Sequence, residues 1–411
     1  MNKTIGCLIG YLVTLLFAHN ASAQNAILVP ESITADKLHS HIHAPGEINE
    51  EQAPFIIDVT YTADLWRAAR GGVREGTRYL DNLDIVAEAN LERLIGWLGA
   101  EVHVYSLYNN GKSLNELMGD AQVASNIETG VQAFRLYEAW IDQRISGKAS
   151  IKLGLYDLNS EFDALDSSGL FMGSAHGIGT DISQSGLNGP SIFPSTSLAA
   201  RVEVEPAQGW KLRAAVLDGV PGDSARPKRT AIKLGNGDGA LIIGEVEVPI
   251  ADGKLLFGHW RYTARFDNWT GGRKGGNDGW YLRGERQLKA EPNEPGQGLS
   301  GFFRLGIADG SINPFNHFAS AGLNYTGLFD GRDGDQLGFA AAAALTSKEY
   351  RLTSTQAKSE TVFELTYRAS VADWLTIQPN VQYVLNPGAD PTRHNALAFG
   401  LRTELNYRYS R

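Results

Sequence analysis

Apolar and polar residues alternate along most of the chain between residues 55 and 407. In the last such segment Leu397, Phe399 and Leu401 share one face, while Arg402 and Glu404 share the other. A period of two predicts β-strands with one apolar side. We place 16 strands, most of them near the ~9–11 residues that a tilted transmembrane strand needs. Their predicted ranges are 55–62, 79–91, 98–108, 133–144, 149–157, 197–204, 209–217, 239–248, 254–267, 279–288, 299–307, 319–327, 335–346, 361–370, 374–385 and 395–407.

The connections between these segments alternate in length. Those after odd-numbered strands are long or moderate, and those after even-numbered strands are mostly short. Outer-membrane barrels have longer external loops and short periplasmic turns, whereas a soluble sandwich has no reason to sort its loops in this way. The pattern predicts an all-β protein, a transmembrane antiparallel β-barrel of 16 strands.

The longest connection, 158–196, is rich in Gly, Ser, Asp and Asn. A long segment without regular structure is uncommon in a compact domain and is usually functional. We expect this loop to fold into the barrel lumen and to narrow a pore.

Three regions are predicted along the chain. Residues 1–23 are typical of a secretory signal peptide, with Lys3, an apolar run and a small-residue cleavage site before Gln24. Residues 24–54 form a polar N-terminal periplasmic segment, and residues 55–411 form the barrel domain. The polar segment carries three alternating histidines, His39, His41 and His43. They could bind a metal, but no carboxylate or cysteine completes a ligand set, so we interpret the segment as a flexible periplasmic one.

Composition narrows the function classes. The formal net charge of -9 argues against a nucleic-acid partner, which needs a basic surface. The 46 glycines, 15 tyrosines and 8 tryptophans suit tight turns and aromatic girdles. The motifs of common hydrolases and nucleotide-binding enzymes are missing from the sequence, so we expect neither an enzyme nor a cofactor.

Several motifs resemble those of the carbohydrate-selective outer-membrane porins, the OprB type. They include GTRYLDNLDI at 76–85, GDAQVASNIE at 119–128, RLYEAWIDQ at 135–143 and GIGTDISQSGLNGPSIFP at 177–194. The resemblance continues in order to NALAFGLR at 395–402. It implies a 16-stranded barrel in the outer membrane of a Gram-negative bacterium that admits sugars, glucose-like monosaccharides best.

The implied partners are sugars, outer-membrane lipids and lipopolysaccharide, and the sequence leaves open whether the protein forms a homo-oligomer.

Two other functions are weighed against a sugar pore. Many inward arginines would suit an anion-selective, phosphate-selective or general diffusion pore. A hydrolase or adhesin built on a barrel would need a nucleophile and a base that the sequence does not display.

Parity along the strands predicts which side chains line the pore. A charge facing lipid costs ~2–4 kcal/mol at the midplane, so the charged faces are expected to point inward. The predicted pore-lining residues are Glu138, Trp140, Arg201, Arg213, His259, Arg261 and Arg265. Sugar hydroxyls both donate and accept hydrogen bonds, so paired arginines and carboxylates suit them. Each arginine could instead belong to a structural ladder, and Trp140 could either stack on a pyranose or serve as an interface-belt residue or loop support.

Four polar residues open the long loop at alternate positions: Asp157, Asn159, Glu161 and Asp163. This spacing resembles the start of a calcium-binding EF-hand loop, but the sixth position holds Phe162 where that loop needs glycine. We therefore interpret them as constriction-loop residues that face the barrel arginines, without a metal.

Overall fold

The computed structural model describes residues 53–235, 237–292 and 294–411. Within them the chain forms 16 strands that close into one antiparallel barrel. The strands are β1 Phe55–Gly72, β2 Gly76–Asn90, β3 Ala100–Gly111, β4 Ala133–Ser146, β5 Ala149–Tyr156, β6 Ser197–Val204, β7 Lys211–Asp218, β8 Ala240–Ile250, β9 Gly253–Asp267, β10 Arg273–Ala290, β11 Gly298–Ala308, β12 Phe315–Thr326, β13 Gln336–Thr346, β14 Ser359–Ala372, β15 Leu375–Leu385 and β16 His394–Ser410. The predicted signal peptide and residues 24–52 of the polar segment, with its three histidines, lie outside the described residues.

Each strand pairs with the next one along the chain, and β1 closes the barrel against β16. The closing register runs from Ile56 opposite Ser410 to Gly72 opposite His394. The prediction of a 16-stranded antiparallel barrel is confirmed. The largest errors are at strand ends, since β1 continues ten residues beyond the predicted 62 and β10 begins at Arg273 rather than 279. The β10 extension, residues 273–278, is polar and so carries the hydrogen-bonded ladder past the apolar band that the sequence pattern detects. The β1 extension keeps the alternation, with Leu65 on the outer face and the buried Trp66 on the inner face.

In the part of the chain that the structure describes, regular helical structure is confined to short segments. These are Leu91–Ile95, Asn115–Met118, Ser174–Gly177, Thr180–Ser183 and Lys348–Thr353, with single 3₁₀ turns at Leu158–Ser160 and Pro387–Ala389. Among the described residues, no helix is long and apolar enough to cross a membrane.

One face of most strands presents large apolar side chains to the outside of the barrel. Leu65, Leu153, Phe257 and Leu401 are each between 44% and 51% exposed. Their strand neighbours are buried inside, as with Lys152 on β5 and Arg402 on β16. An apolar outer band over a polar interior is the arrangement of an outer-membrane barrel.

The faces of β9 are opposite to the prediction. Trp260, Tyr262, Ala264 and Phe266 share one face of β9 and point inward, where this face packs against Phe162 and Ile182 of the long loop. The inward positions predicted for His259, Arg261 and Arg265 are therefore wrong, because these residues occupy the outer face. Loop side chains fill this part of the lumen, so the inward face is apolar too. Arg261 and Arg265 lie in the half of β9 nearer the following loop, where a charge near the membrane interface costs only ~0–1 kcal/mol.

Substitutions on the outward face of β16 test directly whether this face contacts the membrane lipid. We expect Leu401→Arg to lower the free energy of unfolding by ~2–4 kcal/mol, because Leu401 lies in the middle of a strand facing lipid. The matched variant Tyr409→Arg, near the strand end, should lose only ~0–1 kcal/mol. Guanidinium unfolding in phospholipid vesicles measures both, and equal losses would show that Leu401 does not face the membrane core.

Candidate functional site

The long loop, residues 157–196, lies inside the barrel, and we call it the inward loop. It begins with Asp157, whose side chain accepts a hydrogen bond from the Asn159 amide at 2.8 Å and so caps the 3₁₀ turn Leu158–Ser160. Leu158, Phe162 and Ile182 are buried against the inward faces of β7 to β10. Apolar packing therefore holds one side of the loop to one half of the wall.

Glu161 fixes the loop to the adjoining strands β5 and β6. Its carboxylate accepts hydrogen bonds from Lys152 Nζ at 2.9 Å and Arg201 Nε at 2.7 Å, and from the Tyr156 hydroxyl. Burial alone would raise the pKa of Glu161, but the charges of Lys152 and Arg201 hold it below its ordinary value. The group is therefore ionised at neutral pH and forms a buried ion pair.

Asp163 forms a second buried ionic cluster with two arginines that the prediction missed. Arg283 Nη2 lies 2.9 Å and Arg304 Nη1 lies 2.6 Å from its carboxylate, and all three side chains are at most 1% exposed. Asp181, further along the loop, lies 3.5 Å from Arg283. Burial raises the pKa of Asp181 to about 6, against the lowering effect of Arg283. Arg283 shares a face with Tyr281 and Glu285 on a predicted strand. Residue alternation alone could therefore have identified Arg283 as a residue that points inward.

Carboxylates on the wall also hold the backbone of the inward loop. Glu138 accepts from the Asp157 amide at 2.8 Å, and Glu245 accepts from the Asp163 amide at 2.8 Å. Four further loop amides donate in the same way, those of Asp166 and Ser167 to Glu285 and those of Met172 and Gly173 to Glu364, at 2.7 to 3.2 Å. The loop is fixed by contacts along its length rather than at its two ends alone.

Glu138 and Trp140 point into the barrel, as predicted. A β-bulge in β4 between Leu136 and Glu138 turns Tyr137 inward as well, where its hydroxyl donates to Asp157. Strict alternation along 133–144 predicts Tyr137 on the apolar outer face together with Ala139 and Ile141, and this prediction is wrong for Tyr137.

The indole of Trp140 is already covered. The His103 ring stacks on it with centroids 4.6 Å apart and planes 4° from parallel, and Lys152 Nζ lies 3.7 Å from the indole centroid. Because stacking and cation–π contacts both use the faces of the ring, a pyranose would have to displace one of them. The geometry favours the alternative in which Trp140 supports its neighbours.

Of the predicted arginines, only Arg201 and Arg213 point inward, and both are nearly fully buried. Arg213 bonds Glu203 and lies 3.2 Å from Glu245. The structure thus places both in the structural ladder that the sequence left as an alternative.

The four predicted constriction-loop residues do not converge on one point. Asp157 and Asn159 cap and bridge loop backbone, while Glu161 and Asp163 pair with different cations on the wall. Among the described residues, no group of three or more His, Cys, Asp or Glu side chains is arranged to hold a metal ion.

A row of paired ionisable side chains lies on the inward face of the strands away from the apolar contact of the inward loop. We call it the polar wall. It comprises the partly exposed pairs Asp58–Arg408, Arg368–Glu404 and Glu88–His103 and the more deeply buried pairs Asp64–Arg402 and Asp142–Arg201, joined at distances of 2.6 to 3.1 Å. These pairs lie on strands β1 to β6 and β14 to β16. A solute that passes the inward loop therefore meets charges of both signs on this side.

Comparisons with known proteins agree with this architecture. The model of the carbohydrate-selective porin, OprB family, matches residues 74–407. The chain belongs to this family. It is 25% identical over 378 residues to Porin B of Pseudomonas aeruginosa strain PAO1, covering 80% of this chain and 81% of that protein.

Two solved structures share the fold. The high-pH structure of Pseudomonas putida OprB has a TM-score of 0.78 at 21% identity, covering 86% of this chain and 94% of that one. The outer membrane channel DcaP of Acinetobacter baumannii has a TM-score of 0.55 at 10% identity, covering 88% and 99%. A 16-stranded barrel of this porin family is an outer-membrane protein of Gram-negative bacteria, and it indicates a channel rather than an enzyme.

Replacing Asp163 tests how strongly the loop of this OprB-family porin is held. Asp163→Asn removes the counter-charge of the buried Arg304 and leaves Arg283 with only Asp181 at 3.5 Å, and breaking a buried pair in this way costs about 3–5 kcal/mol. We expect a loss of that size in denaturant unfolding, together with a larger single-channel conductance because the loop loosens. The exposed variant Asp333→Asn is the control, and stability equal to that of the control would contradict the role of this cluster.

The burial of His176 in the inward loop predicts that the free energy of unfolding depends on pH. It is 1% exposed, packs on Phe171 and Phe302, and has Nδ1 3.1 Å from Ser320 Oγ. Burial, aided by the charge of Arg304, lowers the pKa of His176 from 6.5 to about 3. The folded state therefore keeps it neutral, and its contribution to stability is present above pH 6.5 and is lost as the pH falls toward 3.

We expect His176→Gln to show a flatter decline of unfolding free energy over this window. The difference from the unmodified protein should approach about 1.4 kcal/mol per pH unit. His317→Gln, at an exposed outward position on β12, is the control and should leave the profile unchanged. Parallel profiles for all three proteins would refute the assignment.

Proposed function

We propose that this protein is a passive pore that admits glucose-like monosaccharides across the outer membrane into the periplasm. Membership of the carbohydrate-selective porins supports a sugar as the solute. The observation that carries the proposal is the polar wall, where cations and carboxylates alternate along one side of the lumen.

Paired charges suit a neutral polyol better than an ion. A guanidinium offers only donors and a carboxylate only acceptors, so a pair of them can exchange hydrogen bonds with a hydroxyl that does both. Arg408 and Arg402 each face a carboxylate at 2.6–2.7 Å, which reduces the net field that an anion would experience. The Asp58–Arg408 contact also remains partly hydrated, with Arg408 25% exposed, which fits the weak binding that passive diffusion requires.

Size exclusion would come from the inward loop. Glu161 and Asp163 hold it across the lumen, so the open path is narrower than a barrel of 16 strands would otherwise enclose. We expect glucose to pass faster than maltose, and a neutral trisaccharide to pass slowest.

Liposome swelling with the purified protein measures this series. Swelling that declines steeply from glucose to the trisaccharide supports the proposal. Absence of swelling with every sugar, together with anion-selective current in planar bilayers, would replace it with a phosphate-type pore.

The pair Asp58–Arg408 tests whether the polar wall acts on the solute. Arg408→Gln leaves Asp58 uncompensated, so we expect the reversal potential to shift toward cations and glucose swelling to fall about two- to fivefold. Asp58→Asn combined with Arg408→Gln should remove the ion selectivity while keeping the lower swelling rate. The outward, exposed pair Asp267–Arg273 provides the control, since Arg273→Gln lies away from the lumen. Equal behaviour of both arginine variants would place the solute path elsewhere.

A further inference from the structure

The outward face of β9 changes from apolar to charged partway along the strand. Leu255 and Phe257 are apolar, whereas Arg261 and Arg265, further toward the following loop, are exposed cations. Trp280 of β10 stacks on Phe257 with the ring centroids 5.3 Å apart, and its side chain is 42% exposed. Exposed aromatic residues are typical of the girdle at which a barrel wall leaves the membrane. The two arginines therefore lie at the edge of the membrane rather than in its apolar centre.

This edge belongs to the outer leaflet. Outer-membrane barrels have short periplasmic turns and longer external loops. The two longest connections, 112–132 and the inward loop, follow β3 and β5, so the odd-numbered strands end on the external side. β9 is odd-numbered, and both arginines lie in the half of it that leads to the external residues 268–272. The outer leaflet of this membrane is made of lipopolysaccharide, which carries phosphate groups at its boundary with water.

The guanidinium groups of Arg261 and Arg265 have no partner in the protein. Among the described residues, no carboxylate oxygen lies within 4 Å of either group, and neither group donates a hydrogen bond. Arg67, an exposed outward arginine on β1, differs because Glu75 lies 3.9 Å and Thr77 lies 3.5 Å from its nitrogens. The two guanidinium groups on β9 are thus available to an anion from outside the protein.

The side chains around these arginines leave an excess of positive charge. Asp267 is paired with Arg273 at 3.3 Å. Asp278 lies opposite Arg261 in the register of β9 and β10, but the two charged groups are more than 4 Å apart. On the other side, β8 places the apolar Ile242 opposite Arg261. Three arginines therefore face two aspartates on this part of the wall.

A phosphate monoester matches these groups in shape and charge. The guanidinium group is a planar fork that binds phosphate oxygens in bidentate fashion. A phosphate monoester carries about −1.5 to −2 charges at neutral pH, more than the single charge of a phospholipid phosphodiester. At ~3.4 Å per residue, Arg261 and Arg265 are ~14 Å apart along the strand, so each can bind a separate phosphate.

We propose that Arg261 and Arg265 bind phosphate groups of lipopolysaccharide at the outer face of β9. The Trp280 indole lies below them, where its apolar ring suits the acyl chains and its N–H suits the sugar headgroup. The site holds a lipid against the outside of the barrel, so it acts independently of the solute that crosses the lumen.

Lipid titration tests this site. The full-length, detergent-solubilised and delipidated protein is titrated with a truncated-core lipopolysaccharide, and bound lipid is measured by native mass spectrometry. We expect the affinity to fall at least about fivefold when the same lipopolysaccharide has been treated with a phosphatase, or when phosphatidylglycerol replaces it. The affinity for intact lipopolysaccharide should also decline as NaCl is raised, because the arginines are exposed.

Variants assign the binding to these residues. The double variant Arg261→Gln/Arg265→Gln should bind lipopolysaccharide at least about tenfold more weakly, since each basic residue beside an anionic lipid surface contributes a factor of about five. Arg67→Gln, on the outward face of β1, is the control and should bind as the unmodified protein does. Asp278→Asn removes the carboxylate opposite Arg261 and should strengthen binding about two- to fivefold.

Three results would overturn the proposal: equal affinity of the double variant and Arg67→Gln, equal affinity for intact and phosphatase-treated lipopolysaccharide, or equal affinity for lipopolysaccharide and phosphatidylglycerol. The last result would reduce the site to general attraction of anionic lipids. Glucose swelling of every variant should equal that of the unmodified protein, because these residues lie outside the lumen. Failure of the lipid test is therefore distinguishable from failure of the proposed transport function.

Discussion

The arrangement of the lumen depends on buried ion pairs between the inward loop and the barrel wall. Isolated charges are costly to bury, so Asp163 can occupy the interior only while Arg283 and Arg304 remain beside it. The same dependence holds for Glu161 with Lys152 and Arg201. Each carboxylate has fixed partners on the wall, and this defines the position of the loop more sharply than apolar packing would. The cost of unpairing a charge inside the barrel is what prevents the loop from moving into solvent.

Fixing the loop in this way divides the lumen into two different surfaces. Phe162 and Ile182 pack against the inward faces of β7 to β10. The opposite side keeps its ion pairs partly exposed along β16, β1 and their neighbours. A solute path is therefore created as much by filling one half of the barrel as by lining the other. The loop contacts that determine the fold and those that determine permeation are the same contacts.

Much of this fold could be predicted from residue alternation and loop length, because a strand between lipid and water shows two contrasting faces. The face of β16 with Leu397, Phe399 and Leu401 was predicted in this way and is confirmed by the register and by their position. The method failed on β9, since Trp260 and Tyr262 meet an apolar loop, and both faces of that strand carry apolar residues. A single bulge at Tyr137 likewise altered the alternation of β4. The partners of Asp163 were missed because they lie 120 and 141 residues further along the chain, and single-sequence patterns contain no information on such pairings.

The covered indole of Trp140 changes how discrimination between solutes has to work. A sugar that stacked on an open tryptophan would gain apolar contact in addition to hydrogen bonds, and tighter binding slows release from a passive pore. With His103 and Lys152 against the ring, that contact is already used inside the protein. What remains for the solute is exchange of hydrogen bonds with hydrated pairs such as Asp58 and Arg408. Such exchange differs little in free energy from hydration, so selectivity among neutral sugars would follow mainly from the width set by the inward loop.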